Sequence, residues 1–369
     1  LTLPQRLDEL NLPRRHEDWR WTDLSAAEAA LSASPANDAA PDATPYLIDG
    51  IEGPVLLFVD GKYVEAASRP GPVRVEKGVA HDAGNGPLAE IAAQHSLHKI
   101  SLSGSGQRVQ IVHIATGGQA HLDLQYVVAA GETARVVETY AGGGESWVNL
   151  ALSASVAERG RLRRAVRILQ DAGAWTETVN GHLAADAHYG SVSLIGAAAA
   201  VRSEYDFVLG DRAHAQVDGT MVAGARQHFD IVGRIRHQGV GGSSGQTWRS
   251  VVAGRAQASF AGRIEVARGA RQTDANEDVK AILLDRTATA NAKPELEIFA
   301  DDVKCAHGAT VGELDKRALF YMESRGLPPE RARQLLTEAF VADAFEAVEN
   351  ADLRAALGED ARRLLERVR

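Results

Sequence analysis

The chain has 369 residues, 45% of them hydrophobic and 24% charged, a balance that builds a globular protein with a sizeable core and excludes an intrinsically disordered one. Its net charge of −9 argues against a general nucleic-acid binder, which would carry a basic face. The single cysteine, Cys305, excludes an internal disulfide and a zinc site built on several thiolates of one monomer. No apolar run approaches the ~20 residues that span a bilayer, and the charge-dense start of the chain has no basic-then-apolar signal pattern. The expectation is a soluble protein of a reducing compartment, the cytoplasm. The chain begins at Leu1, so a targeting segment removed earlier stays open.

From Leu1 to about Leu31 the chain reads as helical, with Leu7, Leu10 and Leu12 followed by an Ala-rich stretch from Ser25. Trp19 and Trp21 stand between the two parts. Ser32 to Pro45 turns to Ala, Ser, Asp and Pro, which is linker chemistry. Val55–Val59, then Asp60-Gly61, then Lys62–Val64 predict a hairpin, because Asp-Gly supplies the positive φ of a type I′ turn. A helix is expected over Pro87–His95. Residues 1–100 are thus read as an N-terminal helical region with a linker and a β-hairpin.

The next part, 101–311, differs in kind. Short alternating segments follow one another, each opened by a tight, charged corner: Gly131-Glu132-Thr133, Glu158-Arg159-Gly160, Gly210-Asp211-Arg212, Gly254-Arg255 and Asp285-Arg286-Thr287. Small and β-branched residues at period two after each corner suit the narrow interior of stacked parallel coils. Low aromatic content (5%) agrees. A β-sandwich gives a similar pattern, but the extent of the strand region favours a β-solenoid. Arg161, Arg163, Arg164 and Arg167 read most simply as a solvated strand face.

Helices return in 312–369. Glu313 to Arg325 places Leu314, Ala318, Leu319 and Met322 on one face; Gly326 suits its C-terminal cap and Pro328-Pro329 the next helix start. That helix runs to about Val348, and Asn350 can cap a last one through Leu365. Helices at both chain ends would cover the open ends of a solenoid.

Chemistry-bearing motifs are sparse. There is no phosphate loop, no Gly-x-Ser-x-Gly elbow and no His-Glu-x-x-His helix. Gly239–Gly245 lies among strands and lacks the following helix that a dinucleotide site needs, so it reads as a wide turn. Carboxylates abound, as in Asp301-Asp302 or Asp274 with Glu277 and Asp278, but spacing singles out no acid/base pair. A β-helical enzyme such as a polysaccharide lyase remains an alternative on fold analogy. In Lys304-Cys305-Ala306-His307, Cys305 and His307 alternate by two and so share one strand face. A thiolate and an imidazole together can ligate iron or zinc, and Lys304 could lower the thiol pKa. Two ligands cannot close a site, so a metal there would borrow ligands from another chain. A buried, inert Cys beside a hydrogen-bonded His is the competing reading.

The segments Arg271–Asn276, Lys293–Ile298, Asp301–Asp315, Ala318–Tyr321, Ser324–Gly326 and Ala339-Phe340 together resemble the SufB/SufD scaffold family of iron–sulfur cluster assembly. Arg15-His16-Glu17-Asp18-Trp19 is similar to that family's N-terminal signature. His307-Gly308-Ala309-Thr310 is closer to the SufD-type wording, since SufB-type chains carry Glu in place of Gly308 and several cysteines. The resemblance implies a mainly β fold, a right-handed parallel β-helix flanked by N- and C-terminal helical regions. It implies a non-enzymatic scaffold that pairs with SufB through the β-helix end and docks the SufC ATPase through its C-terminal helices. Leu314, Leu319, Phe320, Tyr321 and Phe340 are the region-level candidates for that docking. His307, then Cys305, match the family's interface positions and are candidate ligands for transient iron or a cluster. No cofactor is expected to stay bound to the isolated chain; reduced flavin is associated with such assemblies. A homodimer in isolation follows from the same edge.

Overall fold

The computed structural model describes residues 6–10, 12–13, 15–35, 41–77, 86–96, 98–103 and 107–368. The expected solenoid is what it shows. The N-terminal part supplies helix α1 (Ser25–Ser32), strands β1 (Val55–Val59), β2 (Lys62–Tyr63) and β3 (Arg74–Lys77), helix α2 (Pro87–His95) and strand β4 (His98–Ser103). Then come β5 (Gln107–Ala115), β6 (Gly118–Val128), β7 (Thr133–Gly142), β8 (Ser146–Val156), β9 (Arg161–Ile168) and β10 (Ala174–Leu183). The coils continue through β11 (His188–Ile195), β12 (Ala200–Leu209), β13 (His214–Ala223), β14 (His228–His237) and β15 (Ser243–Val252). They finish with β16 (Gln257–Val266), β17 (Asp274–Leu283), β18 (Thr289–Ile298) and β19 (Lys304–Gly312). Helices α3 (Lys316–Ser324), α4 (Pro329–Ala342) and α5 (Ala351–Arg367) close the chain.

Successive strands alternate between two facing sheets. One is ten-stranded, in the order β19-β17-β15-β13-β11-β9-β7-β5-β1-β2; the other is nine-stranded, β18-β16-β14-β12-β10-β8-β6-β4-β3. From β4 onward all neighbours along the solenoid are parallel and in register, so each inward residue stacks on its equivalent one coil away. Corners between successive strands carry a residue of positive φ at Arg159, Asp186, Arg212, Gln272 and Asp302 on one side and Ala172, Ala197, Ala225 and Gly254 on the other, whereas the charged corner Asp285–Thr287 has none among its residues. A left-handed residue turns the chain sharply enough to enter the opposite sheet. The interior is filled by Leu, Val, Ile and Ala with a few large rings, among them Trp175, Tyr189, Phe207, Trp248 and Phe260.

Three expectations are corrected. The stretch 1–31 is not one helical run. Residues 1–5, 11 and 14 lie outside the described residues, and the rest forms single 3₁₀ turns at Leu7–Leu10 and Glu17–Trp19 before α1. Pro13 removes a backbone donor there, and Trp19 is drawn onto the nine-stranded sheet, where the Arg202 guanidinium lies 4.0 Å from its ring centre. Second, the terminal helices do not cover the solenoid ends. α1 and α2 pack on the outer face of the nine-stranded sheet, over β6, β8 and β10 or β12, and α4 and α5 on the outer face of the other, over β13 and β15. Val341, Phe345, Leu357 and Leu364 meet Val137, Val192, Leu194, Val222 and Val251 there.

Third, the arginines of β9 are not a solvated face. Arg161 is exposed and Arg163 half-buried, but Arg164 and Arg167 are buried. Arg164 points into the solenoid, where its Nε and Nη2 donate to the Glu138 carboxylate at 2.7 and 2.8 Å and Nη2 also to Glu177 at 2.7 Å. Tyr126 and Tyr140 donate to Glu138, and Ser203 to Glu177, so the buried charges have partners on most sides. Arg167 points outward and pairs with Asp360 of α5 at 2.6 Å. Arg249 pairs likewise with Asp343 at 2.5 Å, so the outward arginines clamp the C-terminal helices to the sheet.

Candidate functional site: the uncovered end of the solenoid

At the N-terminal end the parallel coils stop against antiparallel partners, β2 on β1 and β3 on β4. At the C-terminal end β19 and β18 are the outermost strands of their sheets, and among the described residues no further strand pairs with their free edges; the 3₁₀ turn Glu17–Trp19 meets β18 from its flank, where Lys293 pairs with Glu17 at 2.8 Å. Their burial shows it. β17 alternates buried and exposed as a covered coil does, whereas nearly all of β19 is exposed and β18 is nowhere fully buried. The inward row of the last coil therefore faces solvent along the solenoid axis, and Ile298 (40% exposed), Phe299 (63%) and Val311 (44%) are among the large apolar side chains left in water. An uncovered core edge of this kind marks an interaction surface.

Cys305 and His307 belong to that inward row. Register places Cys305 on Ala275 and His307 on Glu277, and Ala275 and Glu277 are both interior residues of β17. Cys305 is half-buried against Ile264, Val266, Ala270, Ala275 and Leu296. Burial, and secondarily the Asp274 carboxylate, push its thiol pKa up, while the Ala275 backbone N–H works in the opposite direction. The expected lowering by Lys304 is not what the site provides, since alternation sends the lysine to the other strand face. His307 is exposed. The two side chains are thus on one face, as the alternation predicts, but among the described residues no third His, Cys, Asp or Glu joins them in a metal-binding group.

Beneath His307 lies a residue that spacing did not single out. Glu277 is 1% exposed. Its Oε2 accepts from Gln246 Nε2 at 3.0 Å, Gln246 Oε1 accepts from the Tyr205 hydroxyl at 2.5 Å, and Glu277 Oε1 has no partner among the described residues. A Cβ on Gly262 would collide with the Glu277 carboxylate, so the glycine makes its room. Burial raises the Glu277 pKa to about 8, assisted by Glu295 and opposed by Gln246. The available signal was a carboxylate at an inward step of Ala275-x-Glu277-x-Val279-x-Ala281. Asp274 is exposed at the strand start and Asp278 faces outward to Arg249, so these three acids do not converge.

The five docking candidates separate. Phe320 (73% exposed) and Tyr321 (59%) project from α3, none of whose residues is buried. Leu314 and Leu319 line a cleft between α3 and the corner at Leu284–Arg286. Phe340 packs into the cluster that joins α4 to the sheet.

Fold and site define a class: a parallel two-sheet solenoid whose last coil is left open and carries a thiol and an imidazole on its inward row. The SUF system FeS cluster assembly SufBD core domain matches residues 111–340, and the chain belongs to that family. Over 380 aligned residues it is 28% identical to the iron–sulfur cluster assembly protein SufD of Escherichia coli, covering 95% of this chain and 88% of that one, so it is a SufD-like member. It is also 39% identical over 129 residues to the chloroplastic protein ABCI7 of Arabidopsis thaliana, covering 35% of this chain and 27% of the relative. A SufBD family protein of Synechocystis, slr0076, is 38% identical over 138 residues, 37% of this chain and 30% of its own. No helix among the described residues is long and apolar enough to cross a membrane.

Proposed function

We propose that this chain is a non-catalytic scaffold subunit that joins a SufB-type solenoid end to end through β18 and β19, and that the seam receives iron or a nascent cluster as cargo. The observation that carries the reading is the position of Cys305 and His307 on the inward row of an uncovered terminal coil. Two side chains offer half a tetrahedral ligand set, and a second solenoid laid on the same end would bring the remainder from its own chain. His307, exposed and free of the apolar packing that holds Cys305, is the first ligand; the raised thiol pKa keeps Cys305 protonated until metal displaces the proton. Exposed Phe320 and Tyr321 on the outlying helix α3 suit the docking of the SufC ATPase, aromatic anchors being common centres of binding energy. In the absence of SufB the same open edge would pair with a second copy of this chain.

Co-expression with SufB and SufC, followed by size exclusion with light scattering, tests the pairing. A ternary particle with one copy of this chain is expected, and elution of the chain without either partner would overturn the reading. Within such a particle, His307→Ala should leave assembly intact while lowering bound iron and sulfide.

A further inference from the structure

Away from the open end, a cleft of ≈ 780 Å³, counted with its open mouth, runs between the outer face of the ten-stranded sheet and the segment leading into α5. Its floor is apolar, formed by Val137, Ala165 and Val192, and Ile51, Val348 and Leu353 face them. Its rim is a ladder of like charge. Arg108 on β5, Arg135 on β7 and Arg163 on β9 are directly opposite one another in register, so three guanidinium-bearing side chains rise from strands ~4.8 Å apart. Like charges so placed repel. One carboxylate answers them: Glu349 accepts from Arg163 at 3.2 Å. Among the described residues Arg108 and Arg135 pair with no acid, in a chain of net charge −9. The next position of the row is Gly190, where a Cβ would collide with the Arg163 guanidinium, so the floor is cut away to let that side chain lie across it. The adjacent row continues the basic character with Arg161, followed by His188 and His214, whose rings are 5.7 Å apart. Burial first, then the Arg161 and Arg163 charges, push the His188 pKa down, and the Asp186 carboxylate opposes them.

We infer that this cleft binds a small organic phosphate, its apolar body against Val137, Ala165 and Val192 and its phosphate against Arg108, Arg135 and Arg163. The lining is that of a small-molecule site, in which apolar walls carry a few charged groups that orient the ligand. Planar guanidinium groups grip phosphate oxygens in pairs, and an anion between them relieves the repulsion of the ladder. Asp218, which lines the cleft further along the sheet, gives the opposite sign there and so fixes which end takes the phosphate. The site lies on the flank of the solenoid, and a ligand could occupy it with the terminal coil free or covered.

The full chain would be titrated with the N-methylanthraniloyl derivative of adenosine monophosphate, read by its fluorescence, with the corresponding nucleoside as the phosphate-free control. Saturable binding that weakens with salt is expected, with the nucleoside binding at least ~10-fold more weakly, a difference of ~1.4 kcal/mol. The double substitution Arg108→Ala with Arg135→Ala, at one exposed and one half-buried position, should weaken nucleotide binding ~10-fold or more, whereas Arg108→Lys with Arg135→Lys should retain part of it. Val192→Trp should fill the cleft and abolish binding, with an unchanged circular dichroism spectrum as its control. Absence of saturable binding to the wild type, equal affinity for the nucleoside, or an unaltered affinity in the alanine double variant would overturn the assignment.

Discussion

Replacing Glu277 by glutamine should make the stability of this protein less sensitive to pH, in a direction that the burial of the carboxyl dictates. Folded, Glu277 keeps its proton up to about pH 8; unfolded, it releases it near 4.5. Between those values the native state holds more protons than the unfolded one, so stability falls as pH rises through the window and levels off above it. At ~1.4 kcal/mol per pH unit, the whole interval corresponds to ~5 kcal/mol. Glutamine fills the same space beside Gly262 and still accepts from Gln246, but it does not titrate. The variant and the wild type should therefore be close in stability at pH 5, and the variant should lead by up to ~5 kcal/mol at pH 9. Urea unfolding followed by tryptophan fluorescence at pH 5, 7 and 9 measures the difference directly, because contributions from the other titrating groups are common to both proteins. Parallel pH profiles would refute the argument and mean that Glu277 is ionised and solvated at neutral pH.

Other outcomes follow from the same geometry. Arg164→Met should cost ~3–5 kcal/mol in chemical unfolding, since it strands Glu138 and Glu177 as buried carboxylates without their cation. Replacing the three together by apolar residues should recover most of that loss. Phe320→Ala with Tyr321→Ala should leave the melting temperature within about a degree, both side chains being exposed, while reducing retention of SufC on a column carrying this chain. Alkylation of Cys305 by iodoacetamide at pH 7.5 should be slower than that of a free thiol and should accelerate in Asp274→Asn, which removes the nearby negative charge that raises the thiol pKa.

Much of the architecture was legible because the solenoid repeats its logic in the sequence. A charged or glycine corner followed by period-two alternation can be read at Glu158–Ile168 or Gly210–Val222, and register then follows from stacking one coil on the next. Capping was equally local at Asn350, which accepts from Leu353 as read, while the helix expected from Glu313 begins instead after Asp315, which accepts from Arg317. What alternation cannot say is what stands opposite. Arg164 sits at an inward step, yet the carboxylates that receive it come from β7 and β10. Arg167 looks outward to water until α5, far along the chain, brings Asp360 over it. The amphipathic faces of α4 and α5 announced that they would be buried, but not that a sheet face rather than a coil end would cover them. For the candidate site, the shared face of Cys305 and His307 was visible in two-residue spacing. Its openness was not, because it depends on where the helices go.

The two ends of the solenoid differ in a way that limits how far association can proceed. One end is sealed by antiparallel strands and the other bare. A stack of parallel coils with both ends bare could add subunits indefinitely and grow into a fibre, as cross-β assemblies do. If association runs through this single bare end, as proposed, the first union would consume it: a pair around a twofold or pseudo-twofold axis would present its antiparallel-capped ends outward and stop at two. Blocking β2 and β3 is thus as much a part of making a defined pair as exposing β18 and β19, and loss of the N-terminal strands would convert a partner into a polymer.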